Sequence, residues 1–232
     1  MRSESASPAR AQRRRAAGNL QDNRDVRSGI WIVHTMDGDH RIPLLGDLRH
    51  EHFYLTEGDP AVDVSEYVLE PIVTTLDDGS DKPLRFDCIV TRLDGSRSCR
   101  RVAERRLDPS NDKDAHLIER YSVAARRLGG KFEEVTAANL DAASMRISNW
   151  NRVMGAYLRC RGRSLRVIDA LISAHVPGGS EIAMGAVLDR LSDQPRALLF
   201  ASVAHLLRRR QLGSDLDDRP WSRNTLLSRR TS

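Results

Sequence analysis

Asp87 comes nearer to a catalytic pattern than any other residue in this sequence. It lies on the first arm of LRFDCIVTRLDGSRSCRRVAERRL, residues 84–107, where an Asp94-Gly95 turn joins two β-prone runs. An acid on one strand, with a second acid and a lysine two residues apart on the partner strand, can hold Mg²⁺ and a hydrolytic water against a phosphodiester. Here the partner strand offers Cys99, Arg100, Arg101, Val102 and Ala103. The chain has three lysines, Lys82, Lys113 and Lys131, and none falls on either arm. The segment therefore reads as a hydrolytic site stripped of most of its chemistry. Two readings stay open. Asp87 binds a metal, with Glu104 and Glu51 as further acids, or it is a vestigial strand acid paired with Arg100 or Arg101. His50-Glu51-His52 does not add a metal site, because residues two apart on a helix diverge; it reads as ordinary exposed helix.

A second chemistry is phosphate binding. No acid occurs between Asp141 and Asp169, and the stretch carries six arginines: Arg146, Arg152, Arg159, Arg161, Arg163 and Arg166. Clustered cations of this kind suit a nucleic-acid backbone. Against that, the chain has 34 arginines, so an arginine-rich solvated helix is the plain alternative. Arg208-Arg209-Arg210 could also grip phosphates, or equally settle the negative end of their helix.

The net charge of +5 is mostly a property of one end. Residues 1–28 hold seven arginines against three acids, lack apolar periodicity and read as a disordered basic tail. The rest is close to neutral. With 232 residues and 40% hydrophobic content, one or two globular domains are expected. Three cysteines without paired spacing argue against a disulfide framework or a zinc knuckle. No apolar run is long enough for a membrane span and no signal-peptide pattern is present, so a cytoplasmic location is expected.

The elements that must position these residues follow from periodicity and punctuation. Residues 30–34 and 40–45 flank a Met-Asp-Gly-Asp turn as a hairpin, and 47–57 has helical spacing stopped by Gly58-Asp59-Pro60. Apolar, β-branched runs at 65–75 and 84–92 are separated by the turn cluster DDGSDKP. A strand at 97–103 precedes a helix that opens at Pro109–Asp112 and ends at Gly129-Gly130, followed by the strand KFEEVT. This order predicts an α/β core of mixed sheet with flanking helices over residues 29–143. A basic connecting helix is expected over 144–163. Residues 164–232 then supply a helix at 165–175, helices at 183–192 and 196–210, and a β-hairpin, the order of a winged helix.

These elements and their wording resemble the TnsA-like endonuclease subunit of heteromeric transposases, over roughly residues 40–225. The matching phrases are Glu57-Gly58-Asp59-Pro60, Glu70-Pro71 where the family commonly has Gln-Pro, and Phe86-Asp87-Cys88 in place of Pro-Asp-Phe. The Asp94-Gly95 turn, Phe132-Glu133-Glu134-Val135-Thr136 and Asn149-Trp150 follow, then His205-Leu206-Leu207 through Leu212, Asp215-Leu216 and Thr225. The resemblance implies a restriction-endonuclease-like core plus a winged helix.

It also implies Mg²⁺ bound by a helix glutamate, the strand Asp and a downstream acid, with a lysine beside the nucleophile. Carried over by position, the helix glutamate falls on Arg49 and the Asp on Asp87. The downstream acid falls on Arg100 or Arg101, and the lysine on Val102 or Ala103. A slipped register offers Glu104 and Arg106, and arginine is a poor substitute for lysine. One position in four survives. The expectation is a DNA-binding transposase subunit with a degenerate nuclease core, needing no cofactor, whose implied partners are DNA, an integrase-type transposase and an ATPase regulator. An active Mg²⁺-dependent endonuclease with a shifted site and a stand-alone winged-helix regulator are the alternatives. The acidic hairpin residues Asp215, Asp217 and Asp218 are expected to face a protein partner while the third helix approaches DNA with Arg196, His205 and Arg208–Arg210.

Overall fold

The ribbon at residues 30–34 and 41–45 is built from two apolar, β-prone runs, IWIVH and RIPLL. In a computed structural model, which describes residues 29–36, 41–67, 72–73 and 83–230, β1 (Ile30–His34) pairs antiparallel with β2 (Arg41–Leu45). Val33 and Leu44 point inward and are buried. Gly46, at φ 84°, turns the chain into α1 (Asp47–Glu57). Then come β3 (Val62–Glu66), β4 (Ile72–Val73) paired with β5 (Pro83–Leu84), and the hairpin of β6 (Cys88–Arg92) and β7 (Arg97–Ala103). Gly95 sits at φ 78° in the Asp94-Gly95 turn.

The central sheet has the order β3-β6-β7-β8, with β8 at Lys131–Thr136. Its β7–β8 pair is parallel, which requires a crossover, and α2 (Asp112–Arg127) supplies it. Asn111 caps α2 by accepting from the amides of Lys113 and Asp114, and Gly129, at φ 74°, ends it. Phe86, Ile89 and Cys99 pack one face of the sheet against Tyr121, Ala124 and Ala125 of α2. On the other face Val102 and Val135 meet Leu48 and Leu55 of α1, with Leu140 and Ile147 beyond. The expected α/β layering is present.

Neither expected apolar run is one strand. The 84–92 run is split between β5, which ends at Leu84, and β6, which starts at Cys88, so Asp87 precedes the strand on which it is expected. The 65–75 run is broken too. β3 starts earlier and stops at Glu66, and Glu70-Pro71 and most of the DDGSDKP cluster lie outside the described residues. The tail at residues 1–28 does too.

The remainder is α3 (Ala137–Ala142), α4 (Ser144–Leu158), α5 (Arg166–His175), β9 (Glu181–Ala183), α6 (Met184–Arg190), α7 (Arg196–Arg208), β10 (Leu212–Ser214) and β11 (Leu226–Arg229). The three strands form an antiparallel sheet ordered β10-β11-β9. The largest core runs from Val33 and Phe53 through Trp150 and Met154 to Leu199, Leu206 and Leu227. It therefore passes through the boundaries expected at 143 and 163, with α4 as its spine. Gly58 makes one joint possible: a Cβ there would lie 2.2 Å from the Trp150 ring. Among the described residues no helix is long and apolar enough to cross a membrane.

Candidate functional site

Asp87 sits just before β6, and its amide donates to the Arg100 carbonyl at 2.7 Å. Both of its carboxylate oxygens are engaged. Oδ1 accepts a very short bond from Arg49 Nε of α1, and Oδ2 accepts from the Val102 amide at 2.6 Å. Arg49 also donates Nη1 to the Leu45 carbonyl at 3.1 Å. The ion pair expected for Asp87 exists, but its partner is Arg49 and not Arg100 or Arg101. Those two look elsewhere because β7 runs parallel to β8 in the register Arg100↔Glu133 and Arg101↔Glu134. Arg100 Nε reaches Glu133 at 2.9 Å and Arg101 Nη1 reaches Glu134 at 2.6 Å. Successive residues of a strand face opposite ways, so the two pairs lie on opposite faces of the sheet.

The buried Arg100 continues into α1. Its Nη1 donates to Thr56 Oγ1 at 3.2 Å, and the same hydroxyl is hydrogen-bonded to His52 Nε2, also 3.2 Å away. His52 is buried, contrary to the exposed helix expected for His50-Glu51-His52. Burial, and then the charges of Arg100 and Arg49, pull its pKa down to about 3, so the imidazole is neutral. Arg49 thus stands where the resemblance implies a metal ligand, and Arg100 lies on the α1 side of the sheet beside Thr56.

The residues present do not fit Mg²⁺. Asp87 has no unengaged oxygen, and a guanidinium stands where a second carboxylate is needed. Glu104 is exposed beyond the end of β7. Glu51, two residues past Arg49, is rotated about 200° around α1. Among the described residues no group of three or more His, Cys, Asp or Glu side chains is placed to hold a metal ion. No hydrolytic step follows from this arrangement.

The arginines of the acid-free stretch divide into two sets. Arg146 is gripped by Asp217: Nε donates to Oδ1 at 2.5 Å and Nη2 to Oδ2. Beside it, Asn149 is buried and fully bonded, donating at 2.7 Å to the carbonyls of both Leu216 and Arg219 and accepting from the Trp221 amide at 2.8 Å. These contacts pin the 215–221 loop to α4. Arg152, Arg159 and Arg163 are exposed, as is Arg166 at the start of α5. Arg161 is exposed and bonds His34 Nδ1 at 2.8 Å. Helical geometry accounts for the division. Arg152 and Arg159 are seven residues apart and within about 20° of one bearing, while Arg146 is about 120° from Arg152.

The third helix of the C-terminal part, α7, does not present its basic residues as expected. Ala201, Ser202, Val203, Ala204, Leu206 and Leu207 are buried. Arg208 has a side chain 8% exposed and lies 3.4 Å from Glu57 Oε2. Glu57 is itself buried, and its Oε1 accepts from Ser65 at 2.6 Å and Tyr67 at 3.0 Å. Arg210, at φ 60°, donates to the Val62 carbonyl and lies 3.5 Å from Asp63. His205 bonds Asp169 at 2.9 Å. Arg196 and Arg209 are exposed. The hairpin acids are likewise not all outward. Asp217 holds Arg146, and Asp215 accepts from the Leu226 amide at 2.9 Å. Asp218 is exposed.

Arg49 is the residue whose role sequence reasoning missed. The signal was present, since a cation at the position of an expected carboxylate is well placed to pair with the acid left behind. No protein-family model matches this sequence, and no curated protein is significantly similar to it.

Proposed function

We propose that this chain is a DNA-binding, TnsA-like subunit of a heteromeric transposase whose nuclease-like core is a scaffold and not a cutting site. The observation that carries the DNA half is the exposed arginine surface of Arg152, Arg159, Arg163 and Arg166, within an acid-free stretch of 27 residues. Guanidinium groups on a rigid helix and the turn that follows it suit phosphate oxygens without reading bases. The absence of cutting rests on Arg49, which neutralises Asp87 at the place a metal would need.

The order α5-β9-α6-α7-β10-β11, with β9 paired to β11, supports a winged-helix reading of the C-terminal part. In this protein that unit is turned to internal use. Seven of the 13 residues of its third helix are buried, and the 215–221 loop is fastened to α4 by Asn149 and Arg146. DNA is therefore assigned to the α4 surface and away from α7. The integrase-type transposase and the ATPase regulator are partners implied by the resemblance, and a cytoplasmic location follows from the same reading. The test is anisotropy of a fluorescent duplex with the wild type and with Arg152, Arg159, Arg163 and Arg166 all changed to alanine. The variant should bind more weakly on every sequence. Equal binding would remove the surface from the account. Plasmid nicking in Mg²⁺ or Mn²⁺ should stay at background, and nicking abolished by Asp87→Ala would overturn the scaffold reading.

A further inference from the structure

The β1–β2 ribbon leaves both outer edges without a strand partner, and one face uncovered, among the described residues. Register pairs Ile30 with Leu45 and Ile32 with Pro43, so these four share a face. All four are exposed, Ile30 to 67% and Ile32 to 65%. The opposite face is the one that packs, through Val33, Leu44 and the Trp31 ring stacked 4.0 Å from His50.

The hydrogen-bond phase of the ribbon fixes which groups point outward. Gly46 donates to the Gly29 carbonyl at 2.8 Å, which makes that pair a bonded one. Bonded pairs alternate in an antiparallel ladder, so Ile30, Ile32 and His34 turn their amides and carbonyls away from β2. Pro43, which has no amide hydrogen to give, falls on a non-bonded position of β2, as this phase requires. The outer edge of β2 is thus blunted by proline, while that of β1 carries neither proline nor a charged Lys, Arg, Asp or Glu. Folded proteins normally cover or charge such an edge.

We infer that β1 pairs edge to edge with β1 of a second copy of this chain, independently of the DNA-binding reading. An antiparallel two-fold at Trp31 sets Ile30 opposite the second copy's Ile32 and satisfies the outward groups of Ile30 and Ile32 in both copies. It joins the two exposed apolar faces side by side. The occupant is set by charge and by what the chain itself can offer. The chain beyond residue 28 is close to neutral, so net charge does not keep two copies apart there, and IWIVH brings no charged Lys, Arg, Asp or Glu against its own image. The residues leading into Gly29 are a poor cover, since QDNRDVRS holds four charges and one aliphatic side chain. An edge of five residues gives a small interface, so the dimer is expected to have a dissociation constant on the order of micromolar.

Sedimentation equilibrium of the full chain tests this, with Ile32→Pro and Ile32→Lys alongside. Proline at 32 removes an outward amide and leaves the β1–β2 ladder intact, and lysine sets two like charges across the two-fold. The wild type should approach twice the monomer mass at about 100 µM. Both variants should stay monomeric with wild-type far-ultraviolet circular dichroism. If Ile32→Pro does not fold, Ile32→Lys decides alone. A monomeric wild type at that concentration overturns the inference, as does a dimer that persists in the folded variants. A monomer that dimerises only when residues 1–28 are deleted also overturns it, and makes that segment the occupant.

Discussion

Replacing Arg49 with methionine removes the cation from Asp87 while keeping most of the side chain's volume. Asp87 has a side chain 6% exposed and would keep only the bond from the Val102 amide. Stranding a fully buried carboxylate costs about 3–5 kcal/mol. Two features reduce that here. Arg49 is itself 35% exposed, so solvent already screens the pair. The cleft of about 50 Å³ between Arg49, Arg85 and Asp87 can also admit water to the orphaned oxygen. The expected loss is therefore about 2 kcal/mol, or about 4–8 °C in Tm for a domain of this size. Asp87→Asn alone should cost about 1 kcal/mol, because it leaves the more exposed partner unpaired. In the double variant the losses should fall short of their sum by about 1–2 kcal/mol. Urea unfolding of the four proteins, read at constant m-value, measures this cycle. A coupling below about 0.5 kcal/mol would refute the reasoning, since Arg49 would then be a surface neighbour of Asp87 and not its counterion.

Further outcomes follow from other joints. Gly58→Ala forces a Cβ against the Trp150 ring and should destabilise by about 1–3 kcal/mol in the same assay. His52 takes a proton only near pH 3 when folded but near 6.5 when unfolded, so the unfolded chain binds more protons between those values. Stability should fall as pH drops through that window, and His52→Gln should reduce the slope by up to about 1.4 kcal/mol per pH unit. Arg208→Ala should lower Tm, by leaving Glu57 buried without its cation, and leave the salt dependence of DNA binding unchanged. A lost phosphate contact would show the reverse.

Much of the chain was legible because local rules and tertiary context agree. The strand at 97–103, the helix at 47–57 and the strand at 131–136 match their expected limits. Alternation, glycine turns and proline stops set all three. The helix expected over 144–163 ends at Leu158, and the chain passes through Gly162 at φ 78° before α5 begins. The three-residue β9 has no local signal in the sequence, because its pairing is with β11, more than forty residues away.

The site was less legible, because a charge's partner is a property of register. Nothing local tells Arg100 to choose Glu133, but parallel pairing of β7 with β8 does. The same holds for Arg208, where a run of three arginines looked like a phosphate grip until α7 was set against Glu57. Several phrases that carry the family resemblance turn out to be joints of the molecule. Gly58 takes Trp150, Glu57 takes Ser65 and Tyr67, and Asn149 takes the 215–221 loop. A resemblance carried by such phrases speaks to how the chain packs, and the chemistry has to be read residue by residue.

Under the proposed function, DNA would lie on the arginine face of α4 and its following turn, with no metal required. The most direct test of that placement is the salt dependence of duplex binding in EDTA, for the wild type and for Arg152→Ala/Arg159→Ala/Arg163→Ala. Each phosphate contact contributes about 0.9 to the slope of log K against log salt concentration, so the triple variant should lose about 2–3 from that slope. An unchanged slope, or wild-type binding that disappears in EDTA, would contradict the account.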